Sequence, residues 1–169
     1  MEIYIVRHGD AVDRNDPQMT SDEMRPLTED GRDETALMAV LLGKLGVKPD
    51  LLLTSPLVRA RQTAEIIADI LGPKHGATVS DELAPGGSLA AVLNDLLSTG
   101  RPAQTVLTGH MPEVGELVGL LAWNQRECSI SFRTAGVCRV DLPDESPFPG
   151  HGQLCWLLPP RVGARLLGR

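Results

Sequence analysis

A chain of 169 residues is long enough to bury one sizeable core and short for two, so a single domain over residues 1–169 is expected. Only 3% of it is aromatic (Tyr4, Trp123, Phe132, Phe148 and Trp156), which leaves the core to Leu, Val, Ile and Ala and argues against stacking platforms for single-stranded nucleic acid. A formal net charge of −6 argues against a basic nucleic-acid-binding face, and no apolar run approaches the roughly 20 residues that span a bilayer, so neither nucleic acid nor a membrane is an expected partner.

The opening segment Met1–Val6 has neither a basic stretch nor a small-residue cleavage site, which makes a cytoplasmic setting the expectation. Glu2–Val6 reads as the first strand. Thr28 is a good helix N-cap, with Glu29 and Asp30 in the first turn, and Leu37, Leu41, Leu42 and Leu45 carry a helix towards Gly46. Asp50–Thr54 is the second strand. Ser55 and Pro56 open a helix to Leu71 whose Ala60, Ala64, Ile67 and Leu71 face a core, and Gly72-Pro73 ends it.

Further along, Ala77–Ser80 reads as a short strand, Ser88–Leu97 as a helix, Thr105–Thr108 as a buried strand and Pro112 to about Trp123 as a helix. The last third changes character. Ser129–Phe132, Gly136–Leu142 and Gln153–Leu158 alternate like antiparallel or edge strands, separated by the Pro/Gly-rich turn Pro143–Gly152. Arg161, Arg165 and Arg169 recur every four residues as a solvated helical stripe. Cys128, Cys138 and Cys155 form no metal-ligand spacing and read as reduced, mostly buried thiols. Strands alternating with helices predict an α/β fold, a three-layer arrangement around a mostly parallel sheet with a late antiparallel element.

In such sheets ligands bind beyond the carboxyl ends of the strands. Three of those ends carry unusual residues: Arg7-His8-Gly9-Asp10, then Thr54-Ser55-Pro56 with Arg59 shortly after, and Gly109-His110-Met111-Pro112. Gathered at one edge, two imidazoles, two guanidiniums and the amides after Pro56 and Pro112 suit a tetrahedral dianion, with one imidazole left as nucleophile. Gly9 would let the backbone pass close to the anion. His75 and His151, in Gly- and Pro-flanked turns, are expected to lie apart from this site.

These residues carry a family resemblance. Arg7-His8-Gly9 after an amino-terminal strand, Leu27-Thr28-x-x-Gly31, Ser55-Pro56-x-x-Arg59-Ala60-x-Gln62-Thr63 and a late Gly109-His110 resemble, in order over about the first 120 residues, the signature of the histidine phosphatase superfamily. The resemblance implies an α/β/α sandwich in which His8 attacks phosphorus to give a covalent phosphohistidine. It also implies that Arg7, Arg59 and His110 hold the phosphoryl oxygens, with Gly9 and Met111 lining the substrate site and no metal or cofactor. The Arg7–Ala11 opening and Arg25-Pro26-Leu27-Thr28 resemble the SixA-type phosphohistidine phosphatases, implying a phosphorylated protein as partner. Where phosphoglycerate mutases and phosphomonoesterases of the superfamily place a general-acid Glu, this chain has Glu82-Leu83-Ala84-Pro85, with Pro85 at the acid's position. Asp10, Asp81 and Glu82 remain open as proton sources.

Three other readings stay in play: a small-molecule phosphomonoesterase or mutase, a non-catalytic phosphoprotein-binding module, and a metal site of His8, Asp10 and His110, which Arg7 and Arg59 would disfavour. The charge is also uneven. Residues 10–34 hold nine acidic side chains against three arginines and so carry the whole excess. An acidic rim around a cationic pocket is expected to repel free polyanions and to tolerate a phosphate presented on a protein.

Overall fold

The computed structural model describes residues 1–98 (for Leu97, the backbone alone), 100, 102–127, 130–143 and 149–169. Six strands form one sheet in the order β3-β2-β4-β1-β5-β6. They are β1 (Glu2–Arg7), β2 (Leu51–Thr54), β3 (Thr78–Val79), β4 (Gln104–Gly109), β5 (Val137–Asp141) and β6 (Gln153–Leu158). All neighbours from β3 to β1 pair in parallel, and β5 runs antiparallel to both β1 and β6. The helices are α1 (Glu29–Lys44), α2 (Val58–Leu71), α3 (Leu89–Ser98), α4 (Glu113–Trp123) and α5 (Pro160–Leu166).

The central strands are apolar on both sides because both faces are covered. Successive residues divide between two cores: Ile3, Ile5, Leu53 and Leu107 meet α3 and α4 through Val92, Leu96, Leu117 and Leu121. Tyr4, Val6, Leu52 and Val106 meet α1 and α2 through Met38, Leu42, Ala64 and Ile67. The expected three-layer sandwich is thus present, with α5 packed on α1.

Several expectations need correction. Ile130–Phe132 is not a strand, while Ser129 and Cys128 lie outside the described residues. Phe132 instead plugs the α3/α4 core. Of the turn Pro143–Gly152, residues 144–148 lie outside the described residues. Cys138 is buried but Cys155 is exposed. The second long helix starts at Val58, with Ser55 and Pro56 in the bend before it and Leu57 as N-cap, so the expected amides after Pro56 are those of its first turn. Arg161 and Arg165 lie exposed on α5, which stops before Arg169.

The strand register places the functional segments. Arg7 pairs with Gly109 and Thr54 with Thr108. The ladder then runs one bond further, His8 N–H donating to Gly109 O and Ser55 N–H to Thr108 O, each 3.0 Å. His8, Ser55 and His110 therefore leave the sheet side by side.

The chain after β1 is pinned against α1. Thr28 caps that helix, its hydroxyl accepting from Gly31 N–H at 3.0 Å, while its own N–H donates to Asp10 O. The backbones approach so closely that a Cβ on Gly31 would lie 2.1 Å from Asp10 O, and one on Gly9 would lie 2.6 Å from both Gly31 O and Thr35 Oγ1. Gly9 is thus required by its contact with α1, whereas the sequence reading attributed it to the bound anion. In an exposed helix Gly→Ala gains about 1 kcal/mol from propensity. Here overpacking outweighs that gain, and Gly31→Ala is expected to lose at least about 2 kcal/mol in urea unfolding. Wild-type stability in this variant would refute the close approach.

Candidate active site

Four elements supply the site: the end of β1, the β2–α2 bend, the first turn of α2 and the end of β4. His8, 9% exposed, has its ring fixed by Nδ1 lying 2.6 Å from Gly9 O. A carbonyl can only accept, so Nδ1 carries the proton and Nε2 keeps its lone pair. Arg59 lies across that lone pair, its Nε donating to His8 Nε2 at 3.3 Å. Burial, reinforced by the Arg59, Arg7 and Arg25 cations, pushes the His8 ring down to about 4, overcoming the opposing effect of the Gly9 bond. The imidazole is neutral at pH 7 and nucleophilic at Nε2.

His110 is 3% exposed, and its ring centroid lies 5.0 Å from that of His8. Its Nε2 is 2.7 Å from Ser55 Oγ, and its Nδ1 is buried without a partner. Burial, then the neighbouring His8 and Arg59, push this ring down to about 3. Arg7 donates from NH1 to Phe132 O at 2.7 Å and leaves Nε buried and unpartnered, the guanidinium lowered by burial yet still cationic. Met111 packs its side chain against the α3/α4 core at the edge of this cluster.

The rest of the α2 motif is scaffolding. Thr63 Oγ1 accepts from Gly9 N–H at 3.0 Å and donates to Arg59 O at 2.8 Å. Gln62 Oε1 accepts from Leu27 N–H at 2.8 Å, tying α2 to the segment before α1. Ala60 is fully buried, with its carbonyl against Thr108 Oγ1.

Sequence reasoning missed Asp22, which it placed with the acidic rim. In a 3₁₀ turn (Asp22–Met24), Asp22 takes Arg59 NH2 on Oδ2 at 3.0 Å and Arg59 NH1 on its backbone carbonyl at 2.7 Å. Its Oδ1 accepts from Arg25 NH1 at 2.8 Å and from Arg14 Nε at 3.2 Å. The Arg25 bond, foremost, brings its carboxyl down to about 2, so it is ionised. The only signal in sequence was an Asp three residues before an Arg, a common surface pairing.

The other candidate acids lie elsewhere. Asp10 Oδ2 accepts from Thr28 Oγ1 at 3.1 Å, Glu82 Oε2 accepts from Ser88 N–H at 2.8 Å, and Asp81 is exposed. Glu113, also unforeseen, lines a small cavity with Glu82 and His110; Gly86 N–H occupies its Oε1, and its Oε2 is buried without a partner. Among the described residues no three His, Cys, Asp or Glu side chains converge on a possible metal position. His75 and His151 are exposed and take no part.

In an unfolded chain both rings take up a proton as the pH falls through about 6.5, whereas the folded protein refuses it until about 4 at His8 and about 3 at His110. Between these limits the unfolded state binds more protons, so stability falls with pH. The urea midpoint is expected to be flat above about pH 7 and to drop towards about pH 5, with a shallower slope in His8→Asn/His110→Asn. Equal slopes in the two proteins would contradict the buried neutral rings.

The profile of the histidine phosphatase superfamily (branch 1) matches residues 3–84. Phosphohistidine phosphatase SixA of Escherichia coli is 37% identical over 163 residues, covering 95% of this chain and 94% of SixA. An uncharacterized protein of Picosynechococcus is 44% identical over 140 residues, covering 81% of this chain and 82% of its own. The structure of protein histidine phosphatase SixA complexed with tungstate superposes with a TM-score of 0.84 at 34% identity, covering 96% of this chain and 99% of the other. Among the described residues no helix is long and apolar enough to cross a membrane. The chain belongs to branch 1 of the histidine phosphatase superfamily, is similar to SixA, and is a phosphatase, a hydrolase of phosphoryl groups.

Proposed function

We propose that this phosphatase acts on phosphohistidine carried by a protein, through a covalent phosphohistidine on His8 and without a metal. One observation carries the reading: the Gly9 carbonyl holds the proton of His8 on Nδ1, so the Nε2 lone pair lies inside a cationic site, while the candidate acids Asp10 and Glu82 are engaged by Thr28 and Ser88.

His8 Nε2 attacks phosphorus in line as the bond to the substrate nitrogen breaks. The displaced imidazole takes the electron pair of the P–N bond and departs neutral when its other nitrogen is already protonated. Water then attacks the enzyme's phosphohistidine, releasing inorganic phosphate and restoring the lone pair on Nε2. Arg7, Arg59 and His110 bind and stabilise the phosphoryl oxygens, work that is mostly positioning and electrostatics. Gly9 and Met111 complete the substrate-binding wall.

The acids bear on the leaving group. An alkoxide needs a proton from a positioned acid, a contribution of about 10²–10⁴-fold. Asp22 cannot give one, since its arginine partners keep it ionised. A P–N bond makes no such demand. Glu113 favours a second reading, hydrolysis of small phosphate esters, because its unpartnered Oε2 lies in the cavity that includes His110.

A protein-borne phosphate also suits the surroundings. Asp13 and Asp16 occupy the turns after β1, their carboxylates accepting from Asn15 and Gln18 N–H. An open cleft of about 410 Å³ is lined by Arg133, Arg161 and Glu34, and Arg133 is close enough to lower the Arg7 guanidinium.

A substrate panel run with EDTA tests the reading: a phosphohistidine protein and phosphoramidate are expected to turn over at least tenfold faster than p-nitrophenyl phosphate or phosphoglycerate. The opposite ranking would install the Glu113 reading. His8→Ala should abolish turnover and the acid-labile phosphoenzyme, and Arg59→Ala should lower kcat/KM by about 10²-fold, roughly 3 kcal/mol. Retained activity in His8→Ala would remove the nucleophile. Asp13→Asn/Asp16→Asn should raise kcat/KM for small esters at low salt and lose that advantage at high salt. An unchanged value would end the case for an acidic rim.

A further inference from the structure

We infer that Ser55 is a positioning residue that fixes the tautomer of His110, holding its single proton on Nδ1 so that the ring presents a neutral N–H donor to a phosphoryl oxygen. The role in turnover rests on the function proposed above; the tautomer itself does not.

Ser55 is fully buried, and its Oγ has two neighbours among the described residues: Leu57 N–H at 3.3 Å and His110 Nε2 at 2.7 Å. A hydroxyl offers one proton and two lone pairs. The Leu57 amide can only donate, so it takes one lone pair. If His110 donated from Nε2, the second lone pair would be filled and the hydroxyl proton would have no acceptor. His110 Nδ1 would then be a bare lone pair, also buried and unmatched. That arrangement strands two polar groups.

The alternative strands one. The Ser55 hydroxyl donates to Nε2, the Leu57 amide is satisfied, and the lone unmatched group is Nδ1–H. Buried polar groups are rarely left unpaired, and an unpaired one in a cleft marks where a ligand completes the count. Here the missing partner is an acceptor, and a phosphoryl oxygen is an acceptor. The other tautomer would direct a lone pair at that oxygen and repel it.

Burial keeps the ring neutral near pH 7, so it has one proton to place and Ser55 decides where. The same logic operates at His8, where a carbonyl rather than a hydroxyl holds the proton on Nδ1. The two rings, 5.0 Å apart, share a tautomer but serve opposite needs. At His8 the bonded edge frees a lone pair for attack. At His110 it frees a donor for binding.

The test reads the proton directly. Two-bond ¹H–¹⁵N correlation spectra of ¹⁵N-histidine-labelled wild-type protein near pH 7, without substrate, should show His110 as the Nδ1–H tautomer, and titration with tungstate or inorganic phosphate should shift that Nδ1–H. An Nε2–H tautomer in the wild type overturns the inference, whether or not any variant folds. In Ser55→Ala the Nδ1–H signal should give way to a mixture of tautomers, with kcat falling at least tenfold and KM changing less. Retention of the pure Nδ1–H form with an unchanged kcat would equally refute the role of Ser55. If the tautomer is as stated but phosphohistidine is not hydrolysed, the positioning stands and the proposed substrate falls. Hydrolysis with the wrong tautomer has the reverse meaning.

Discussion

The structure turns on one buried cation. Arg59 is 5% exposed, and such burial is tolerated only when nearly every donor of the guanidinium is matched. Nε meets the His8 lone pair, NH1 a carbonyl and NH2 a carboxylate. Each partner imposes a demand elsewhere. His8 must keep its proton on the far nitrogen, which fixes the turn at Gly9. Asp22 must reach in from the segment between β1 and α1, so that segment is drawn down over α2 and its Leu27 amide is met by Gln62. Thr63 joins the two demands, since one hydroxyl accepts from the Gly9 amide and donates to the carbonyl of Arg59. Arg59, Gln62 and Thr63 of the α2 motif therefore act together to hold a charge where water cannot screen it.

The elements were readable from sequence because their signals were local. Thr28 caps α1 as its position before an acidic first turn implied, and β1, β2 and β4 announced themselves as apolar runs ended by polar residues. What failed was a different kind of inference. Ile130–Phe132 resembles a strand by alternation, yet a strand exists only by pairing, and these residues pair with none of the six strands. The exposure of Cys155 follows from its place on β6, the outermost strand, where a small apolar residue need not be covered. Neither neighbour is visible from within the segment itself.

The site divides along the same line. His8, Arg7, Arg59 and His110 were legible because each lies at or just beyond a strand end and the register of β2, β4 and β1 brings those ends together. Asp22 was illegible. It belongs to no strand, its acidic neighbours suggested a solvated rim, and its contact with Arg59 spans 37 positions of sequence. Ser55 was read as a helix opener and proves to be a partner of His110, a distinction that depends on where one hydroxyl points. Gly9 carries a necessity that the sequence did not show, because atoms of α1 forbid a side chain there.

Charge and desolvation together define what such a pocket can accept. Arg7 and Arg59 flank two imidazoles that burial holds neutral, and Asp22 pairs with Arg59, Arg25 and Arg14. Had the imidazoles been protonated, they would repel the neighbouring arginines, and His8 could not attack. Burial thus does two things at once: it strips the histidines of charge, so that one serves as nucleophile, and it strengthens the arginines' hold on an incoming anion by excluding water. The cost is a core that cannot tolerate acid, because the protons that the rings refuse when folded are accepted once the chain opens. A pocket that depends on neutral histidines among fixed cations is therefore limited at low pH by the stability of the fold as well as by the chemistry it performs.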